Sequence, residues 1–290
     1  MKTFFYKFIN ILRENSLFKR IWDFSKRTYF CIFSIFKKKP DFLIIGAMKS
    51  GTTYMFNLLR QHPQFAAPVE KEIHYFDCNY KQGGNWYINH FPFKTKIKKI
   101  TGEASPYYLY HPLAAQRSYN FNKNFKIIIL LRDPVERAIS HYNMFSKMLN
   151  IKWDLNILLH YKEELLIQKY MESKIVNNIQ DYNKIHRNFS FISRGIYLSQ
   201  IKRWHDFFSK DRVVIIKSED FYNYTQNIMD EICDFLEIER FNNYNFNVDK
   251  YIGNYKNKVD ENICSVLKDF YKPYNEELEK YLKRKFNWDL

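Results

Sequence analysis

The sequence is short of the residues that interrupt regular structure. Its 290 residues hold seven glycines and eight prolines, too few for a collagen-like repeat or a Gly/Pro-rich linker chain. No Ser/Gly-rich stretch divides it, and no repeat with a period of about 20–50 residues recurs. Cysteine is scarce. Cys31, Cys78, Cys233 and Cys264 stand far apart, with no CxxC pair and no zinc spacing. That pattern is expected of four reduced, mostly buried thiols. Long apolar runs are missing as well. The longest nearly uninterrupted one, Tyr29 to Phe36, is eight residues, whereas a spanning helix needs about 20. A secretory signal is not expected, because Lys7 and Arg13 break the first apolar run and no small-residue cleavage site follows. Acidic residues are outnumbered 31 to 46 by Lys and Arg, a net charge of +15, which favours anionic partners without naming one.

What is present is enough for a real core: 46% apolar residues, 19% of the chain aromatic, which excludes a disordered chain. The charge is uneven. Residues 1–39 carry ten basic and two acidic side chains, a net +8, so the remaining 251 residues carry only +7. Two parts are therefore expected: a basic, aromatic-rich segment over 1–39, suited to an anionic membrane surface or to amphipathic packing, and one domain over 40–290.

Asp41-Phe42-Leu43-Ile44-Ile45 has the character of a buried parallel strand. It runs into Gly46-Ala47-Met48-Lys49-Ser50-Gly51-Thr52-Thr53, after which Met55, Phe56, Leu58 and Leu59 fall at helical spacing up to His62-Pro63. Strand, Gly loop and helix form a context in which backbone N–H groups converge on a phosphate. The G-x-x-x-x-G spacing of Gly46 and Gly51 is that of an ATPase loop, but the next two residues are Thr52 and Thr53 instead of Lys and Ser/Thr. The lysine lies inside the loop, at Lys49, where its charge can neutralise a leaving oxygen. The displaced lysine, and the lack of a clear acidic strand end for Mg²⁺, count against nucleotide triphosphate hydrolysis.

A second strand run, Phe125 to Leu131, ends in Arg132-Asp133-Pro134-Val135-Glu136. Asp133 suits an N-cap, Pro134 the first helical position and Glu136 the third position of a capping box. Arg132 thus stands where a strand gives way to a helix, the place where open α/β sheets bind ligands, and Ser140 lies about two turns further on. Between the two junctions, Glu70 to Asp77 brings Glu72, His74 and Phe76 to one face if extended. A carboxylate or imidazole there can act as a base.

The stretch from Ile44 to Thr53 resembles the 5′-phosphosulfate loop of sulfotransferases that use 3′-phosphoadenosine 5′-phosphosulfate (PAPS). Leu130 to Pro134 with Arg137, Ala138 and Ser140 resembles the family's 3′-phosphate motif. Lys71 to Asp77, followed by Gly84-Asn85-Trp86-Tyr87 and Phe91-Pro92, resembles the heparan sulfate type. One position departs from that type. Gly102-Glu103-Ala104-Ser105-Pro106 has Ala104 where a lysine often follows the glutamate. Ser193-Arg194-Gly195-Ile196-Tyr197 resembles a region near the nucleotide, and Tyr251 to Lys258 a late loop closing over it. Residues 150–190 are helical in pattern and carry no placed motif.

The resemblance implies an α/β, P-loop-like fold with a central parallel sheet flanked by helices. It implies sulfuryl transfer from PAPS to a hydroxyl or amine of a carbohydrate, anionic or lipid-linked, by in-line attack and without a metal. Lys49, Glu72 as general base and His74 are its catalytic residues. Lys49, Ser50, Gly51, Thr52, Thr53, Arg132, Ser140, Tyr197 and Lys256 hold the donor. The expected location is the cytoplasm, peripheral on the inner membrane of a bacterium, with no nucleic acid partner. A P-loop small-molecule kinase and a non-catalytic polyanion- or membrane-binding protein stand as alternatives.

Overall fold

A computed structural model describes residues 30–95, 100–150, 154–177, 183–248 and 260–288. The branched aliphatic runs become four strands: β1 (Phe42–Gly46), β2 (Gly102–Ala104), β3 (Lys126–Leu131) and β4 (Val213–Lys217). They form one parallel sheet in the order β2-β1-β3-β4. Every residue of β1 is buried, and every residue of β3 but Lys126, as a sheet covered on both faces requires.

Strand alternation sorts the side chains into two apolar layers. Leu43, Ile45, Ile127, Ile129 and Leu131 pack with Tyr87, Tyr108, Phe125 and Trp204 on one face. Phe42, Ile44, Ile128 and Leu130 pack with Met55, Leu58, Leu59, Met229 and Ile232 on the other. The covering helices are α1 (Thr52–Leu59), α2 (Gly84–Ile88), α3 (Ala114–Phe121), α4 (Pro134–Leu149), α5 (Tyr161–Val176), α6 (Lys184–Asn188), α7 (Tyr197–His205), α8 (Ser218–Asn223), α9 (Thr225–Leu236) and α10 (Glu261–Leu282). The expected helices of residues 150–190 are α5 and α6.

Because β1 and β3 are neighbours, the two strand-to-helix junctions lie side by side. The Ala47 N–H donates to the Leu130 carbonyl at 2.6 Å, tying the Gly loop to the end of β3. β2 flanks β1 on its other side and delivers residues 103–106 to the same edge of the sheet.

Two expectations need adjustment. The thiols are free, but only Cys233 is buried; Cys31 is exposed, and Cys78 and Cys264 are intermediate. Just before β1, Lys37 bridges Phe93, and the Lys38 N–H donates to the Pro92 carbonyl at 2.8 Å. Glu136 does not complete a capping box. Asp133 caps α4 by accepting from the Val135 and Glu136 N–H groups, while the Asp133 N–H donates to Glu219 of α8 at 3.0 Å; Glu136 is engaged by Arg132 instead. Among the described residues no helix is long and apolar enough to cross a membrane.

Gly102 fixes how closely β2 approaches β1. A Cβ there would stand 2.5 Å from the Phe42 carbonyl oxygen and 2.8 Å from two ring carbons of Phe42. That oxygen belongs to the paired backbone and has little room to yield. Gly102→Ala is expected to destabilise the fold by about 1–3 kcal/mol, read as a lower urea midpoint with an unchanged m-value.

Candidate active site

A cleft of about 300 Å³ opens at the carboxyl ends of β1 and β3. One half is built for anions. Lys49, Gly51, Thr52 and Thr53 line it from the Gly loop and the start of α1, and Arg132 and Ser140 from the second junction. Gly51 is the N-cap of α1 with φ 92°, a left-handed conformation that suits glycine. Burial, then the charges of Arg132 and Lys71, lower the pKa of Lys49, the signature of cations crowded where an anion would relieve them. Arg132 is oriented before any ligand arrives: it donates to Glu136 at 2.6 Å and to the Lys49 carbonyl at 3.3 Å.

The other half is a chain of alternating charges. Lys71 Nζ donates to Thr53 Oγ1 at 2.7 Å and to Glu72 Oε1 at 2.6 Å. Glu72 Oε2 lies 3.2 Å from His74 Nε2, and His74 Nδ1 donates to the buried Asp77 at 2.8 Å. Burial alone would raise Glu72, but His74 and Lys71 outweigh it and bring its pKa down to about 2. Burial alone would lower His74, but Asp77 and Glu72 lift it to about 9. Arg187 of α6 places Nη2 3.0 Å from the same His74 Nε2.

The segment is not extended. His74 has φ 53°, and the chain turns there, so Phe76 drops into the core while Glu72 and His74 stay at the cleft. The turn is fixed from below by Glu103, which is fully buried and whose pKa is raised chiefly by that burial. Its carboxylate accepts from the Ile73 N–H and from the hydroxyls of Tyr87, Ser105 and Tyr108.

The structure therefore brings Lys49, Gly51, Thr52, Thr53, Glu72, His74, Arg132 and Ser140 to one cleft. Two predicted residues stand behind it. Ser50 is fully buried, with its carbonyl held by Ser218 Oγ at 2.8 Å. The Tyr197 hydroxyl donates to the Arg132 carbonyl at 2.8 Å, so it supports the junction without lining the cleft. Lys256 lies outside the described residues. Sequence reasoning did not single out Lys71, Asp77, Arg187 or Arg194. Asp77, three residues after His74, was the one legible from spacing. His74, Asp77 and Cys78 offer ligand atoms within 4.8 Å of one another, but Arg187 already points Nη2 at His74 and Nη1 at Cys78 Sγ, setting a positive charge where a cation would have to sit.

A family model described as a sulfotransferase domain matches residues 39–283. The chain belongs to the sulfotransferase family. The membrane-associated sulfotransferase kil1 of Dictyostelium discoideum is 28% identical over 314 residues, spanning 86% of this chain and 66% of that protein. Heparan sulfate glucosamine 3-O-sulfotransferase 3B1 of Mus musculus is 27% identical over 275 residues, spanning 87% and 66%. The chain thus covers just under two-thirds of the length of these two relatives. A sulfotransferase from Alicyclobacillus acidocaldarius has the same fold, with a TM-score of 0.69 at 24% identity over 87% of this chain and all of that one. This sulfotransferase-family chain accordingly has the α/β fold with a central parallel sheet that its motifs implied.

The charge chain makes a titration testable. His74, raised from 6.5 to about 9, contributes stability that is fully present below pH 6.5 and lost as pH rises through 9. Glu72, lowered from 4.5 to about 2, contributes stability present above pH 4.5 and lost as pH falls through 2. Imidazole NMR of the free protein is expected to show His74 titrating near pH 9, and Asp77→Asn to bring it back toward 6.5.

Proposed function

We propose that the chain transfers a sulfuryl group from PAPS to a hydroxyl or amine of a carbohydrate acceptor. The observation that carries this reading is that the cations Lys49 and Arg132, from the ends of adjacent strands, and the carboxylate of Glu72, from the segment between α1 and β2, face one cleft. The donor set suits a bisphosphorylated nucleotide: two cations, three hydroxyls (Thr52, Thr53, Ser140) and the N-terminus of α1, divided between two junctions. Family membership supports the donor. The 3-O-sulfotransferase relative, named for glucosamine of heparan sulfate, supports a carbohydrate acceptor. The kinase alternative has no comparable support.

In this reading Thr52, Thr53 and the start of α1 hold the 5′-phosphate, and Arg132 and Ser140 hold the 3′-phosphate. Lys49 neutralises the charge that develops on the departing phosphate oxygen. Glu72 takes the proton of the acceptor as its oxygen or nitrogen bonds to sulfur and the bond from sulfur to the 5′-phosphate oxygen breaks. Because the oxyanion is a phosphate and the attacking group a sugar hydroxyl or amine, positioning and charge neutralisation supply the catalysis.

Radiolabelled PAPS and glycan oligosaccharides, neutral and anionic, provide the assay. Lys49→Ala and Glu72→Gln are each expected to lower kcat by about 10²-fold or more. Arg132→Ala is expected to weaken binding of 3′-phosphoadenosine 5′-phosphate by about 10–100-fold, the scale of a charged hydrogen bond, while leaving binding of adenosine 5′-phosphate nearly unchanged. Unchanged transfer by both catalytic variants removes the residue assignments.

We also propose peripheral attachment through the N-terminal segment, of which residues 1–29 lie outside the described residues. Its described part exposes Ile32, Ile35 and Phe36 beside Lys37, Lys38 and Lys39, a pairing of apolar and basic groups that suits an anionic bilayer. Co-sedimentation with phosphatidylglycerol vesicles should exceed that with phosphatidylcholine vesicles and fall with salt; equal recovery on both removes the attachment.

A further inference from the structure

The Nε2 atom of His74 has two neighbours that require opposite protonation states. Glu72 Oε2, at 3.2 Å, is a carboxylate oxygen and can only accept, so that contact needs a proton on Nε2. Arg187 Nη2, at 3.0 Å, can only donate, so that contact needs a bare lone pair. One nitrogen cannot serve both at once. Nδ1 is not contested, since it carries a proton toward Asp77 in either state.

Arg187 is held in place for this contact. Its Nη1 donates to Cys78 Sγ at 3.6 Å, and its guanidinium lies over the Tyr107 ring at 6.0 Å. Its carbonyl accepts from Arg194 Nη2, and Arg194 is itself only 2% exposed. The short helix that carries it is capped by Asn183, which accepts from the Ile185 and His186 N–H groups.

We propose that Arg187 is a positioning residue that competes with Glu72 for His74 Nε2 and, by favouring the neutral imidazole, leaves the Glu72 carboxylate able to take the acceptor's proton. The proposal rests on the reading of Glu72 as the base. When His74 is an imidazolium, Glu72 is hydrogen-bonded by both His74 and Lys71 and is a weak base. When His74 is neutral, Lys71 alone holds Glu72 through Oε1, and Oε2 is released. The proton taken by Oε2 then has a route onward to Nε2, where the imidazolium it forms is stabilised by Asp77 and repelled by Arg187.

The other groups around His74 do not perform this task. From its own segment come Lys71, paired with Glu72, and the thiol of Cys78, whose pKa burial pushes up. From β2 and the turn after it come Glu103 and Tyr108. His111 faces Asp77 from beyond, and Lys49 lines the same cleft. Arg187 is the cation whose charge opposes protonation of His74.

The test uses the full chain, Arg187→Gln and Arg187→Lys. His74 is titrated by imidazole NMR without donor. The pH dependence of slow PAPS cleavage is measured with water as the acceptor, so that no glycan need be known. Arg187→Gln should move the His74 titration to higher pH and move the acid limb of PAPS turnover with it. Below that limb the rate should fall about tenfold per unit of the shift, with binding of 3′-phosphoadenosine 5′-phosphate unchanged. Arg187→Lys, which keeps the charge and a donor, should restore most of the wild-type profile. An unmoved His74 titration, or a rate lowered equally at every pH, overturns the proposal. Absence of PAPS turnover by the wild type, with the His74 shift intact, would count against sulfuryl transfer and leave the coupling between Arg187 and His74 standing.

Discussion

The side-by-side parallel pairing of β1 with β3 is the constraint on which the site depends. Parallel strands point their carboxyl ends the same way, so two loops that are 86 residues apart in the chain, at Gly46 and Arg132, open onto one edge of the sheet. The hydrogen bond from Ala47 to Leu130 fixes their separation. Lys49 and Arg132 are then near enough for each to be felt by the other, and Arg132 reaches the Lys49 carbonyl. Such crowding is unfavourable in the free protein and would be relieved by a ligand with two anionic groups, so the sheet topology itself supports the proposed bisphosphate donor.

The opposite wall is organised around a buried carboxylate. Glu103, deep beneath the cleft, accepts four hydrogen bonds, and one of them comes from the backbone of Ile73. A buried charge or acid with that many donors resists rearrangement. It holds the turn that lifts Glu72 and His74 into the cleft and sends Phe76 down among the aromatic rings. The residue next to it is Ala104, the position at which the segment departs from its resemblance to the heparan sulfate type. Among the described residues, the cations that touch Glu72 or His74 there are Lys71, bound to Glu72, and Arg187, which arrives from α6.

Much of the fold was legible because its signals are local. The strand runs at Asp41 to Ile45 and Phe125 to Leu131 are too apolar and too short for surface helices, and the cap Asp133-Pro134 marks a helix start without any tertiary context. The loop residues Lys49, Gly51, Thr52 and Thr53, and Arg132 and Ser140 at the second junction, were legible for the same reason. Phe76 was misplaced because alternation assumes an extended backbone, and the positive φ of His74 is imposed by contacts with Glu103, Ser105 and Tyr108, which are distant in sequence. Tyr197 and Ser50 were assigned to the donor by motif; both side chains are buried behind the residues that line the cleft.

The sequence by itself determined the two strand-to-helix junctions, the parallel sheet that carries them and the presence of a carboxylate and an imidazole between them. Each is written in neighbouring residues whose spacing dictates a local structure. Only the tertiary structure decided the protonation chemistry. Burial works against the charged forms of Glu72 and His74, and their contacts with each other, with Lys71 and with Asp77 outweigh it, while Arg187 opposes the charge on His74; Arg187 is 113 residues from His74. Electrostatic interactions depend on distance through space and on exclusion of water, and neither quantity can be read along a chain. Four of the cations behind the +15 of the whole molecule thereby acquire distinct places: Lys49 and Arg132 at the strand-to-helix junctions, and Lys71 and Arg187 around Glu72 and His74.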